Sequence, residues 1–143
     1  MVTKQQSVGW MGMQQLRVLV VDHNPMAHER LRVALSDGYS LHFVGGACEA
    51  LAVVREELPD LIISEVGLPD GDGFTLCEQV RALPGTEQLP FMFVTDRASI
   101  QDKVAGFQAG ADDYIVKPVD TRLFHARIRL LYRIKGIERR DSA

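Results

Sequence analysis

Five short apolar runs recur along the chain, and each is followed by a segment whose apolar residues have helical spacing. The runs lie at residues 17–21, 40–44, 61–65, 90–95 and 113–117. A short apolar run bounded by charged residues, Gly or Pro is typical of a buried strand. Strands that alternate with helices form a parallel sheet with helices on both faces. We therefore predict a doubly wound α/β domain with a five-stranded sheet.

Capping residues and breakers set the expected helix ends. Asn24 and Pro25 match a helix start, with an N-cap followed by Pro at the first helical position. Asp120 is expected to cap the last helix, which we predict to run to about residue 139. The predicted helices cover residues 25–37, 47–58, 74–83, 99–109 and 120–139.

The length of 143 residues fits one domain with a real core. Residues 1–15 are polar and lack the apolar region of a secretory signal, so we expect a disordered leader. The domain is predicted over residues 16–133, with 134–143 as a helix extension or linker to an output domain. No apolar run is long enough for a membrane span. The two cysteines, Cys48 and Cys77, are expected to be reduced and buried in a cytoplasmic protein.

Charge is unevenly distributed along the chain. The net charge is −3, but the last 24 residues hold seven basic and three acidic residues. No nucleic-acid-reading motif accompanies this basic end. We therefore expect it to complement an acidic protein surface and expect no direct nucleic-acid contact.

Polar residues follow four of the predicted strands. The carboxyl ends of parallel strands meet at one edge of the sheet, where open α/β sheets bind their ligands. The residues brought to that edge are Asp22, His23, Glu65, Thr95, Asp96 and Lys117. An acidic cluster with a hydroxyl and a lysine from four strands indicates a functional site more strongly than any single motif does.

Asp22, Thr95 and Lys117 stand within motifs that resemble the receiver domain of bacterial two-component response regulators, and Glu65 lies just before one of them. The matching stretches are Val20-Val21-Asp22, the loop at residues 68–74 (LPDGDGF), Thr95, and residues 110–118 (GADDYIVKP). The resemblance implies a flavodoxin-like fold with strand order 2-1-3-4-5. It also implies a phosphorylation switch in which a histidine kinase donates a phosphoryl group to an aspartate at the end of the third strand.

The resemblance also implies roles for individual residues. In the family a Mg²⁺ ion held by two acids and a backbone carbonyl assists phosphorylation. The hydroxyl and the lysine then bind the phosphoryl group, and an aromatic side chain swings inward to remodel the face of the fourth helix, fifth strand and fifth helix. By position, Glu65 is the phosphoacceptor, Asp22 the first acid, Gly67 the carbonyl, Thr95 the hydroxyl, Lys117 the lysine and Tyr114 the aromatic switch.

Two positions depart from the family pattern. Glu65 replaces the acceptor aspartate and carries its carboxylate one methylene further from the backbone, on the order of 1.5 Å. A misplacement of a reacting group by about 1 Å can lower the reaction rate about 100-fold. His23 replaces the second acid, and imidazole suits Mg²⁺ poorly because this ion prefers octahedral oxygen ligands. Asp22, Glu65 and Lys117 leave a charge of −1, which a protonated His23 would cancel. We therefore expect no bound cofactor, with Glu65 hydrogen-bonded to Lys117 and His23. The alternative is a Mg²⁺ ion bound by Asp22, Glu65 and the Gly67 carbonyl.

Several functions remain open at this point. The preferred interpretation is a phosphorylation-independent receiver, not an enzyme, in which Glu65 either imitates the phosphorylated state or marks an inactive switch. A phosphorylatable, Mg²⁺-dependent receiver is the alternative. A flavin carrier would need a phosphate-binding loop at residues 22–25, which this chain lacks. Glu65 and Lys117 could also form a purely structural ion pair, with Tyr114 as ordinary core.

Two further local roles are expected. Asp70 and Asp72 are predicted to cap the third helix. The last helix carries an apolar stripe wider than docking on one sheet face requires. Its members are Leu123, Leu130, Ile134 and Ile137. The stripe favours a continuation toward an output domain or a homodimer through the face of the fourth helix, fifth strand and fifth helix over a frayed tail.

Overall fold

The computed structural model describes residues 15–35 and 37–135, and within them five strands and five helices alternate. The strands are β1 (Leu16–Val21), β2 (Tyr39–Val44), β3 (Leu61–Ser64), β4 (Phe91–Thr95) and β5 (Asp113–Val116). The helices are α1 (Pro25–Ala34), α2 (Ala47–Glu56), α3 (Gly73–Arg81), α4 (Ile100–Gln108) and α5 (Thr121–Lys135). Residues 1–14 of the predicted leader and residues 136–143, which hold the predicted continuation of the last helix, lie outside the described residues, so the predicted domain boundaries stay predictions.

All five strands pair in parallel in the order β2-β1-β3-β4-β5. The predicted doubly wound sheet and its strand order are therefore confirmed. One feature was not predicted: Gly67–Leu68 and Gly71–Asp72 form a small antiparallel pair in the loop after β3. This pair gives the loop a fixed shape directly beside Glu65.

Successive residues of the central strands enter two different cores, as the period of two in a strand requires. On one face Leu19 and Val21 pack with buried residues of α2 and α3. On the other face Val18 and Val20 pack with buried residues of α1 and α5. Both faces of the sheet are thus covered, which explains why its strands read as continuous apolar runs.

The helix starts follow their capping residues. Asn24 accepts a hydrogen bond from Met26 N, Ser99 from Asp102 N, and Asp120 from Leu123 N at 3.0 Å. The predicted starts of α1 and α5 are therefore confirmed. The predicted ends of α1, α2 and α3 lie two to three residues too far along the chain, since these helices end at Ala34, Glu56 and Arg81.

The prediction for Asp70 was wrong. Asp72 caps α3 as expected, with Thr75 N donating to its carboxylate at 2.8 Å. Asp70 instead accepts hydrogen bonds from Ala47 N at 2.8 Å and Cys48 N at 2.9 Å, at the start of α2. These N–H groups lower the pKa of Asp70. The carboxylate occupies space that a side chain on the cap residue, Gly46, would fill, since a Cβ there would stand 2.6 Å from Asp70 Oδ1.

The two cysteines differ in environment, which corrects the expectation that both are buried. Cys77 is buried in α3, and burial raises the pKa of its thiol to about 12. Cys48 is exposed at the start of α2. Both are free thiols. No helix within residues 15–35 and 37–135 combines the length and apolarity needed to cross a membrane.

Candidate functional site

Four of the predicted site residues meet at the carboxyl edge of the sheet. Lys117 Nζ lies 3.0 Å from Asp22 Oδ2 and 3.5 Å from Glu65 Oε2. Thr95 Oγ1 donates a hydrogen bond to Glu65 Oε1 at 2.5 Å. The side chains of Asp22, Glu65 and Lys117 are 6%, 14% and 17% exposed, and Thr95 is fully buried. The site is therefore a largely desolvated ionic cluster.

Lys117 lies between the carboxylates of Asp22 and Glu65 and forms an ion pair with each of them. Burial lowers its pKa, but the hydrogen bond to Asp22 and the charges of Asp22, Glu65 and Asp96 outweigh burial and raise it overall. Lys117 is therefore a permanent cation at this site near neutral pH.

A chain of hydrogen bonds links Glu65 to Tyr114 through the backbone of Arg97. The Thr95 hydroxyl donates to Glu65 and accepts from Arg97 N at 3.2 Å. The Tyr114 hydroxyl in turn donates to Arg97 O at 2.8 Å. The backbone of Arg97, in the loop after β4, thus connects the Glu65 carboxylate, through Thr95, to the Tyr114 hydroxyl.

Tyr114 points inward, into the space between β4 and α4. Its ring packs against Phe93, with 5.9 Å between ring centroids. A Cβ added to Gly106 of α4 would stand 2.9 Å from Tyr114 Cδ2, so this ring position requires glycine there. Burial, with the charges of Asp102 and Glu65, raises the pKa of the Tyr114 phenol. The hydroxyl is therefore neutral near neutral pH and able to donate.

His23 and Gly67 are less involved than expected. His23 is exposed, and within the described part of the chain it makes no hydrogen bond or ion pair with Glu65. The expected Glu65–His23 bond is therefore absent, because the ring lies outside the cluster, near Gly45. Gly67 is exposed beside the site, in the small antiparallel pair.

The loop after β4 places two more charges near the site. Asp96 is exposed and acts on Lys117 through its charge. The Arg97 guanidinium forms a 3.9 Å ion pair with Asp102, and its Nη2 lies 3.7 Å from where a Cβ on Gly67 would stand. The Arg97 guanidinium thus lies beside Gly67 and is paired with α4.

The residues present fit a Mg²⁺ ion poorly. Asp22 Oδ1 accepts from Asn24 N at 2.9 Å, and its Oδ2 is held by Lys117. Glu65 Oε1 is held by Thr95, which leaves Glu65 Oε2, a buried oxygen without a hydrogen bond. Lys117 already supplies a cation 3.5 Å from that oxygen. Within the described residues no group of three or more His, Cys, Asp or Glu side chains could hold a metal ion.

Sequence reasoning missed three contributors to the site. The Arg97 backbone carries the link to Tyr114, and a backbone role leaves no signal in residue type. Gly106 makes room for the Tyr114 ring, and only its position inside a predicted helix hinted at a packing role. His28 of α1 contacts the Asp22 carbonyl oxygen through Nε2, six residues along the chain, with no motif to mark it.

Comparisons with known proteins agree with this geometry. A family model described as response regulator receiver domain matches residues 18–129. The response regulator MprA of Mycobacterium leprae is 40% identical over 119 residues, which cover 82% of this chain and 51% of that protein. The transcriptional regulatory protein AfsQ1 of Streptomyces coelicolor is 37% identical over 127 residues, covering 88% and 55%. This chain therefore spans about half the length of these curated relatives.

Solved structures show the same likeness. The crystal structure of a putative response regulator from Chloroflexus aurantiacus superposes with a TM-score of 0.79 at 36% identity. The match covers 82% of this chain and 98% of that one.

Proposed function

The chain belongs to the response regulator receiver domain family, and from this premise we propose that it is a signalling module of a two-component system that works without phosphorylation. Glu65 supplies a fixed negative charge where the family carries a phosphorylated aspartate. The module acts through protein contacts rather than catalysis, and we place it in the cytoplasm.

The observation that carries this proposal is the hydrogen bond from Thr95 to Glu65, together with the inward position of Tyr114. The family resemblance implies that the hydroxyl bonds the phosphoryl oxygens and that the aromatic side chain swings inward in the active state. Here both residues take those positions around a carboxylate. This supports Glu65 as an imitation of the phosphorylated state over an inactive switch.

The contact surface that we propose is the face formed by α4, β5 and α5. Large apolar side chains stand exposed on its two helices. They are Ile100, Val104, Phe107, Leu123, Leu130 and Ile134. Partners for this face are a second copy of the chain, an output domain, or another signalling protein, with a histidine kinase as the upstream partner that the family implies.

Resistance to phosphodonors tests the proposal. The protein is incubated with acetyl phosphate and Mg²⁺, and its intact mass is measured. We expect no mass gain for the wild type or for Glu65→Asp, because both still have His23 where the family has the second acid that binds Mg²⁺. We expect a gain for the double variant with His23→Asp. Stoichiometric modification of the wild type that disappears in Glu65→Gln would contradict the proposal and support the phosphorylatable, Mg²⁺-dependent receiver. A double variant that stays inert would contradict our account of the pocket.

A further inference from the structure

A second cluster of partly buried charges lies at the opposite edge of the sheet, where Asp112 precedes β5. Asp112 Oδ2 accepts hydrogen bonds from Phe91 N at 3.0 Å and Arg81 Nη2 at 3.1 Å. Asp112 Oδ1 forms an ion pair with Lys135 Nζ at 2.9 Å. The side chains of Arg81, Asp112 and Lys135 are 17%, 17% and 13% exposed. Three charges are thus partly desolvated far from the Glu65 site.

Arg81 fixes the position of Asp112. Its guanidinium also donates to the carbonyl oxygens of Gly110, Thr86 and Leu89, at 2.6 to 3.0 Å. Gly110 has φ +112°, and a Cβ there would stand 3.0 Å from Arg81 Cγ. The arginine therefore ties three loop carbonyls to one carboxylate and already neutralises that carboxylate.

Lys135 is consequently not needed to neutralise Asp112, although it gives up most of its hydration to reach it. Its ammonium group approaches Asp112 from the last described turn of α5, and Gln88 Oε1 lies 3.5 Å away. Arg127, two turns earlier, forms a 2.7 Å ion pair with Asp113. Eight residues of helix separate the two pairs, about 12 Å. Two adjacent carboxylates thus hold α5 at two points along its length.

We propose that Lys135 is a positioning residue whose ion pair with Asp112 fixes the direction in which α5 ends. Asp113, the neighbour of Asp112, begins β5, and Tyr114 follows it in the same strand. The end of α5 is therefore fastened to the strand that carries Tyr114, and a shift of that strand moves the helix end with it. This inference does not rest on the proposed function of Glu65.

Lys135→Met removes the ion pair with Asp112 and the long 3.5 Å hydrogen bond to Gln88 but keeps the apolar stem, and Asp112 retains Arg81 and Phe91 N. Arg133→Met is the matched control, because it removes one positive charge from the same helical turn, at a side chain that is exposed. Amide hydrogen exchange at residues 132–135 should rise about tenfold in Lys135→Met, the factor expected for loss of a charge-assisted hydrogen bond. It should change less than about twofold in Arg133→Met, and Lys135→Arg should restore slow exchange.

A second measurement reads the direction of the helix end. Spin labels are placed on the exposed native Cys48 and on Ile134→Cys, another exposed position, and their distance distribution is recorded. We expect Lys135→Met to broaden the distribution and Arg133→Met to leave it narrow. Equal exchange rates and equally narrow distributions in the two variants would overturn the proposal.

Discussion

Thr95→Val should show how strongly the buried hydroxyl holds Glu65. The substitution keeps the branched shape of the side chain but removes the donor to Glu65 Oε1 and the acceptor for Arg97 N. A hydrogen bond to a charged group contributes about 1.5 to 3 kcal/mol to the free energy of unfolding. Because Thr95 is fully buried and the bond is 2.5 Å long, we expect a loss within that range.

A double-mutant cycle with Glu65→Leu isolates the contact, and urea unfolding measures each variant. In the Glu65→Leu background the cost of Thr95→Val should fall, giving a coupling energy of about 1 to 2 kcal/mol. Thr75→Val is the matched control, because Thr75 donates to Asp72 at 3.3 Å on the exposed surface. Its effect should stay within about 0.5 kcal/mol. A Thr95–Glu65 coupling energy no larger than the change in unfolding free energy caused by the control Thr75→Val would refute the reasoning.

Three further predictions concern charge and packing. The N–H groups of α2 lower the pKa of Asp70 from its usual 3.8, so its stabilisation is present above that pH and lost as the pH falls through the folded pKa. Asp70→Asn should therefore lower the urea midpoint at neutral pH but not in acid; an equal deficit in acid would count against the cap. Lys117 has a pKa raised above 10.5, so its stabilisation is full below that pH and is lost as the pH rises through the folded pKa. As the pH rises from neutral, the stability difference between wild type and Lys117→Met should therefore shrink only in strong alkali, and shrinkage near neutral pH would contradict the ion pair. Gly106→Ala places a Cβ 2.9 Å from the Tyr114 ring and should cost about 1 to 3 kcal/mol by overpacking. Spectrophotometric titration should then show the Tyr114 pKa returning toward 10.0, and an unchanged pKa would mean that the ring did not move.

The fold and the meeting of the site residues could be predicted from the sequence because both follow from topology. Short apolar runs alternating with helices leave few arrangements other than a parallel sheet. That sheet brings Asp22, Glu65, Thr95 and Lys117 to one edge whatever the details of packing. The distances between their side chains could not be predicted, because they depend on how far each strand extends past its neighbour.

Errors in prediction came from contacts between segments distant in sequence. Its place in the sequence predicts that Asp70 caps the nearer helix, α3, but the loop after β3 folds so that its carboxylate reaches α2. Its position after Asp22 predicts that His23 lies in the cluster, yet the chain entering α1 leaves it exposed to solvent. The role of Arg97 depends on its backbone, which every residue type shares. Local patterns carry no information about such contacts.

The position of the Tyr114 ring in solution tests the central claim most directly. Fluorotyrosine is incorporated, the Tyr114 signal is assigned with Tyr114→Phe, and fluorine NMR spectra are recorded with and without Mg²⁺ and beryllofluoride. The account predicts one buried Tyr114 signal in the wild type that these additions do not move, and a shift toward the exposed position in Glu65→Gln. A wild-type ring that is exposed at first and becomes buried only when Mg²⁺ and beryllofluoride are added would contradict it.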